Sequence, residues 1–396
     1  MFRASGSAVA SATGTTVGLD LATATRPAPA RDDAIDVLRG WAIVLMILSH
    51  TGAATRLATL AHLPVWLSAA DSFLLISGVV FGWRASERMK SAEPALVYRG
   101  VWRRAGQLWL VHCALMLAVV AVHESTGRLN VAPVAELGGW LSALALIVVL
   151  RFQSVDYMNI LPLFIVCFLL APVGLELMRR GLTLVWIGAS AALFAYAQRD
   201  PAVLPLVDPI AGPLVFSIGA WQFVFALGVA IGFHRARLAA LWHAQRAFIL
   251  PASLGIAAAL FIAAQLQRSG LSQLGLVLPE RLEWLFSKQT WGPGRALYTL
   301  VLLGLAYAAL RQWERRAPHA RSVVGRALQG CVHEPLRFMG RHSLYCFVMH
   351  LPFALLASAA GVEGWPTLFQ EAFTAGSVGA VFLLARWQVL AQLLPR

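Results

Sequence analysis

Cysteine is scarce in this chain. The four that occur, Cys113, Cys167, Cys331 and Cys346, form no Cys-x-x-Cys pair and have no histidine cluster beside them. This excludes a disulfide scaffold and a zinc-type ligand set; three of the four fall inside apolar runs and read as small buried hydrophobes. Lysine is nearly missing too, since Lys90 and Lys288 are the only lysines among 32 basic residues. Charge of any sign is low, with 13% of residues charged against 59% hydrophobic and a mean hydropathy of +0.68. Those values exclude an ordinary soluble domain and indicate an all-α protein that crosses a membrane many times.

What charge there is favours the basic side, with a net charge of +13. Its placement decides its meaning. Residues 1–34 are rich in Ala, Ser, Thr, Gly and Pro, and Asp20 interrupts their best apolar stretch. They read as a disordered leader or an over-extended start, with no signal-peptide core. Residues 35–390 then form one membrane domain with apolar segments near 35–55, 66–83, 104–122, 137–150, 158–178, 182–198, 214–233, 247–265, 296–310, 342–360 and 367–390. A hydrocarbon core of ~30 Å needs about 20 residues to cross it, and 137–150 is the weakest of these segments. With 137–150 not crossing and a cytoplasmic N-terminus, 24 of the 32 basic residues lie on the cytoplasmic side, as positive-inside topology requires. If 137–150 did cross, the Arg311–Arg341 cluster would move outside. The expectation is therefore about ten transmembrane helices, both termini cytoplasmic, and 137–150 re-entrant or interfacial. Topology accounts for most of the basic charge, which leaves no case for nucleic acid as a partner.

The first apolar segment carries Arg39 and, eleven residues later, His50, with apolar and small residues between. At ~100° per residue these share one helix face and stand ~16 Å apart along the axis. Ionisable groups at such depth usually face a cavity or a partner. Asp71 opens the second segment at a depth comparable to His50, where a carboxylate orients an imidazole; Ser77-Gly78 further along permits close helix packing. The stretch from Arg84 through Arg99, Arg103 and Arg104 reads as a cytoplasmic loop of guanidinium groups, suited to phosphates or to anionic membrane lipid. Asp156 and Asn159 precede the kinking Pro162, Gln222 follows Trp221 in an outer half, and Gly340-Arg-His continues to His350-Leu-Pro352, again an arginine at one end and a histidine at mid-membrane.

Taken together, Arg39-x10-His50, Asp71-Ser-Phe-Leu-Leu-Ile-Ser-Gly78, the arginine-bearing start of the third segment and Gly340…His350-Leu-Pro352 resemble the membrane acyltransferase-3 superfamily. Met158-Asn-Ile-Leu-Pro-Leu-Phe-Ile and Ala220-Trp-Gln-Phe-Val-Phe-Ala-Leu-Gly228 are similar to its OpgC branch, the succinyltransferases acting on osmoregulated periplasmic glucans. The resemblance spans about 35–390. It implies a ten-helix bacterial inner-membrane enzyme that takes an acyl group from cytoplasmic acyl-CoA, succinyl-CoA in the OpgC branch, and delivers it to a hydroxyl of a periplasmic glucan or other surface polysaccharide. It implies His50 as the catalytic base and Arg39 as a coenzyme A contact, without a metal. Asn159 stands where many relatives carry an acidic residue, and Phe164 replaces an expected tyrosine.

An extended pantetheine arm is comparable to the Arg39–His50 separation. Phosphates held by Arg39, Arg99, Arg103 and Arg104 therefore leave a thioester beside His50. Ser77 or Gln222 is available as an oxyanion donor, and Arg56 or Arg151 as a cation for a succinyl carboxylate. The competing reading is a transporter or flippase for a sugar or lipid-linked substrate, in which buried Arg and His form a path without covalent chemistry. The absence of an inverted repeat in the hydropathy weighs against it. A structural partner of a glucan synthase is a third reading.

Overall fold

The computed structural model describes residues 31–52, 55–127, 129, 131–151, 158–203, 216–268, 283–316 and 323–389. The leader, apart from its last residues, and Asp156 lie outside them. Regular structure among the described residues is helical throughout. In chain order the α-helices are α1 (Asp33–Thr51), α2 (Arg56–Ala61), α3 (Ala69–Met89), α4 (Pro94–Thr126), α5 (Trp140–Val148), α6 (Ile160–Arg179), α7 (Thr183–Ala197), α8 (Ile218–Phe233), α9 (Arg235–Arg268), α10 (Pro293–Arg316), α11 (Val323–Leu328), α12 (Glu334–Arg341), α13 (Ser343–Ala360) and α14 (Thr367–Arg386).

Seven of these, α1, α4, α6, α9, α10, α13 and α14, are long and apolar enough to cross a membrane. α7 and α8 are apolar but shorter, and α3 reaches 21 residues with charged residues in its last turns. The protein is thus an all-α polytopic membrane protein. α5 has nine residues, a rise of ~13 Å that falls far short of ~30 Å, so it does not cross. One expectation needs correction: the stretch from Arg84 to Arg104 is largely helical, not a loop. Arg84 and Arg88 belong to the end of α3, and α4 begins at Pro94, so that Arg99, Arg103 and Arg104 lie on its first turns. A proline at the first helical position has no N–H of its own to leave unsatisfied, and 33 residues rise ~50 Å, enough for α4 to extend beyond the apolar layer.

α1 starts cleanly. The Asp32 side chain accepts from the Ile35 amide at 3.4 Å, and Asp33 and Asp36 in the first turn complement the positive helix terminus. Most of its apolar stretch is enclosed by other helices, whereas that of α9 is almost entirely exposed. Lipid is as apolar as leucine, so burial cannot drive these helices together, and close backbone approach has to. Two crossings show this. Gly78 and Gly82 of α3 lie against Gly228 and Gly232 of α8, and a methyl group added at any of the four would meet backbone of the facing helix. Likewise Gly40 of α1 faces the Leu336 carbonyl of α12, and Gly340 faces the Asp36 carbonyl. Phe73, Phe164, Phe168, Phe225 and Phe347 fill the space between α3, α6, α8 and α13, with ring centroids 5.6 Å apart for Phe73–Phe164, Phe73–Phe347 and Phe168–Phe225. Phe164 belongs to this packing, where a tyrosine hydroxyl would have to find a partner among rings.

Candidate active site

Arg39 and His50 both lie on α1, half-buried, so the helix turns as their spacing requires. Around His50 the structure gathers groups from distant parts of the chain. His350 of α13, fully buried, places Nε2 at 3.0 Å from His50 Nδ1, with ring centroids 5.2 Å apart. The other nitrogen of His350, Nδ1, bonds the Phe347 carbonyl. His62, just beyond α2, holds its Nδ1 to the Ala58 carbonyl at 2.7 Å and its Nε2 at 2.9 Å from the Ser49 hydroxyl. Lys288 and His62 both lie within electrostatic reach of His50. The backbone of Lys288 is clamped to α8: its carbonyl accepts from Trp221 Nε1 at 2.9 Å, and the Gln289 carbonyl accepts from the same nitrogen and from the Ser217 amide.

Asp71 does not orient His50. Arg295, at the start of α10, donates from Nε to Oδ1 at 3.0 Å and from Nη2 to Oδ2 at 2.6 Å. The Ser68 amide and hydroxyl complete the set, each 2.6 Å from Oδ2, in a capping box at the start of α3. A buried carboxylate requires a countercharge, and the bidentate guanidinium fork supplies it better than an imidazole. Arg295 escaped the sequence reading because it sits at the very edge of an apolar segment; an ionisable residue there was the only signal.

Gln222 likewise departs from its expected role as an oxyanion or substrate donor. Its amide ties α7 to α8, accepting from the Ser190 hydroxyl and donating to the Ser190 and Gly219 carbonyls at 2.9 and 3.0 Å. Both ends of the amide are occupied. Asn159 stands just before the first residue of α6 and is buried, making no side-chain cap to the helix, with Oδ1 lacking a hydrogen-bond partner among the described residues. Ser77 is half-buried on α3, beside the glycine crossing with α8.

At the Arg39 end of α1, the acidic first turn is held by arginines from several helices. Arg235 and the Tyr307 hydroxyl, the latter at 2.9 Å, bond Asp32 Oδ2. Arg337 and Arg341 bond Asp33 at 2.8 and 2.7 Å, and Arg341 also lies 3.5 Å from Asp36. Arg337 lies outside the spanning helices; burial works against its charge, but Asp33 and Glu334 overcome this and hold its pKa above the usual guanidinium value. Of the arginines expected to hold phosphates, Arg99 and Arg103 are exposed on α4 and do not join the packed interior. Arg104 turns inward, its guanidinium 5.7 Å from the centre of the Phe168 ring and its buried Nε without a hydrogen-bond partner among the described residues. Arg84 and Arg88 are its electrostatic neighbours. An interior guanidinium whose neighbours are cations is suited to an anion.

The two ends of α1 thus differ in chemistry, one a set of imidazoles beside a lysine and the other a cluster of arginines and carboxylates. No curated protein and no solved structure matches the chain. The model of the OpgC protein family matches residues 31–392, which takes in both ends of α1 and every helix described above, and the chain therefore belongs to the OpgC family.

Proposed function

We propose that this protein is an integral membrane O-acyltransferase of the acyltransferase-3 type. It moves an acyl group from acyl-CoA on the cytoplasmic side to a hydroxyl of a periplasmic glucan or other surface polysaccharide. Membership of the OpgC family supports a role in glucan modification, and the resemblance stated above points to succinyl as the acyl group. The observation that carries the reading is the His50–His350 contact on α1 and α13, at the far end of α1 from the guanidinium groups. In this reading the Arg39 end faces the cytoplasm, where Arg39 and Arg104 attract the coenzyme A phosphates. The thioester then lies near His50.

The reaction follows from those positions. His50 takes the proton of the acceptor hydroxyl, whose oxygen bonds the thioester carbonyl carbon. The carbon–sulfur bond then breaks, and the imidazolium returns its proton to the coenzyme A thiolate.

The test is transfer of label from succinyl-CoA to glucan by the purified protein in proteoliposomes. His50→Ala is expected to lower transfer by about 10²–10⁴-fold, the usual contribution of a positioned general base, with cooperative thermal unfolding retained. Retained transfer in that variant sinks the assignment. Passage of unmodified glucan or sugar with no label transferred favours the transporter reading instead.

A further inference from the structure

We infer that His350 is a positioning residue that sets the tautomer of His50, putting the proton on Nδ1 so that Nε2 is the nitrogen facing the acceptor hydroxyl. The inference rests on His50 being the general base and adds which nitrogen acts and what holds it.

The Phe347 carbonyl, His350 and His50 form one hydrogen-bond chain. A carbonyl oxygen only accepts, so His350 Nδ1, which bonds the Phe347 carbonyl three residues earlier on α13, carries a hydrogen. A neutral imidazole has one N–H, so His350 Nε2 carries a lone pair. That lone pair meets His50 Nδ1 at 3.0 Å, within the range of a hydrogen bond. His50 Nδ1 must then be the donor, which leaves the lone pair of neutral His50 on Nε2.

A chain running the other way needs a charged His350. His350 is fully buried, and its hydrogen-bond partners are His50 and the Phe347 carbonyl. Neither is a carboxylate. The buried carboxylate Asp71 is taken by Arg295 and Ser68. A cation on His350 would be uncompensated and costly. His350 therefore does the orienting task that a carboxylate performs in most histidine bases. A catalytic histidine held in the wrong tautomer loses on the order of 10⁴-fold in rate, so the contact bears directly on chemistry.

Two substitutions separate this role from packing. Glutamine at 350 places an amide oxygen where Nε2 stood and accepts from His50. Asparagine reaches only as far as Nδ1 and does not. The decisive measurement is ¹⁵N NMR of the protein labelled at histidine, in nanodiscs at alkaline pH, with the His50 signals identified by their loss in His50→Gln. The expected result is a protonated Nδ1 for His50 in the wild type and in His350→Gln, and a protonated Nε2 in His350→Asn. A protonated Nε2 in the wild type, or a signal unmoved by His350→Asn, overturns the inference.

This readout needs no turnover, so it stands apart from failure of the acyl-transfer reading. In the transfer assay, His350→Gln is expected to keep kcat within about tenfold. His350→Asn is expected to lose about 10²–10⁴-fold in kcat with little change in KM. Equal activity in the two variants also overturns the inference.

Discussion

Asp71 and Arg295 are the most deeply buried ion pair among the described residues, with side chains 0% and 6% exposed. Their bond is bidentate, and Ser68 takes up remaining capacity on the carboxylate. Breaking such a pair from one side leaves an uncompensated charge, a loss of about 3–5 kcal/mol, whereas removing both charges together is close to neutral. Asp71→Asn and Arg295→Met are each expected to lower the thermal unfolding midpoint in detergent, and the double variant to recover most of the loss. A double variant as unstable as the sum of the singles would refute this coupling. Both residues were visible in the sequence as charges at the edges of apolar segments. Their pairing was not, because 224 positions separate them and the choice between His50 and Arg295 as partner depends on how α1, α3 and α10 are rotated.

At the scale of helices, the decisive contacts are backbone against backbone. The α3–α8 crossing through Gly78, Gly82, Gly228 and Gly232 has no space for a β-carbon, whereas Gly304 within α10 has none of its surroundings within 4 Å of one. Two similar substitutions should therefore act in opposite directions. Gly232→Ala is expected to destabilise by about 1–3 kcal/mol through overpacking. Gly304→Ala is expected to stabilise by about 0.5–1 kcal/mol through helix propensity. Thermal melts of the two variants in one detergent decide it, and matching shifts would contradict the crossing. Ser77-Gly78 was legible as a packing site, and α5 as too short to cross, since both depend on local composition and length. The helical identity of Arg99 and Arg103, ahead of the apolar segment that opens at residue 104, was not, because a helix that continues past the apolar layer loses its hydropathy signal while keeping its hydrogen bonds.

For the molecule as a whole, the polarity of α1 and the distribution of arginine make one topological prediction. In a variant lacking the four native cysteines, Ala92→Cys between α3 and α4 is expected to react only after the membrane is permeabilised. Ala135→Cys before α5 is expected to react from the outside in intact spheroplasts. The reverse pattern would place the Arg39 end outside and remove the basis for a cytoplasmic donor.

Composition, hydropathy and helical period by themselves determined that the chain is an all-α membrane protein, that Arg39 and His50 ride one helix ~16 Å apart, and that residues 137–150 fall short of a crossing. These properties are set residue by residue, through transfer from water to lipid and the fixed rise and turn of a helix. Only the tertiary structure decided that His50 meets His350, 300 positions away, that Asp71 belongs to Arg295, and that Gln222 is consumed in tying α7 to α8. Those choices depend on the rotation and tilt of helices in contact, which close packing at glycine and phenylalanine settles and no local pattern encodes.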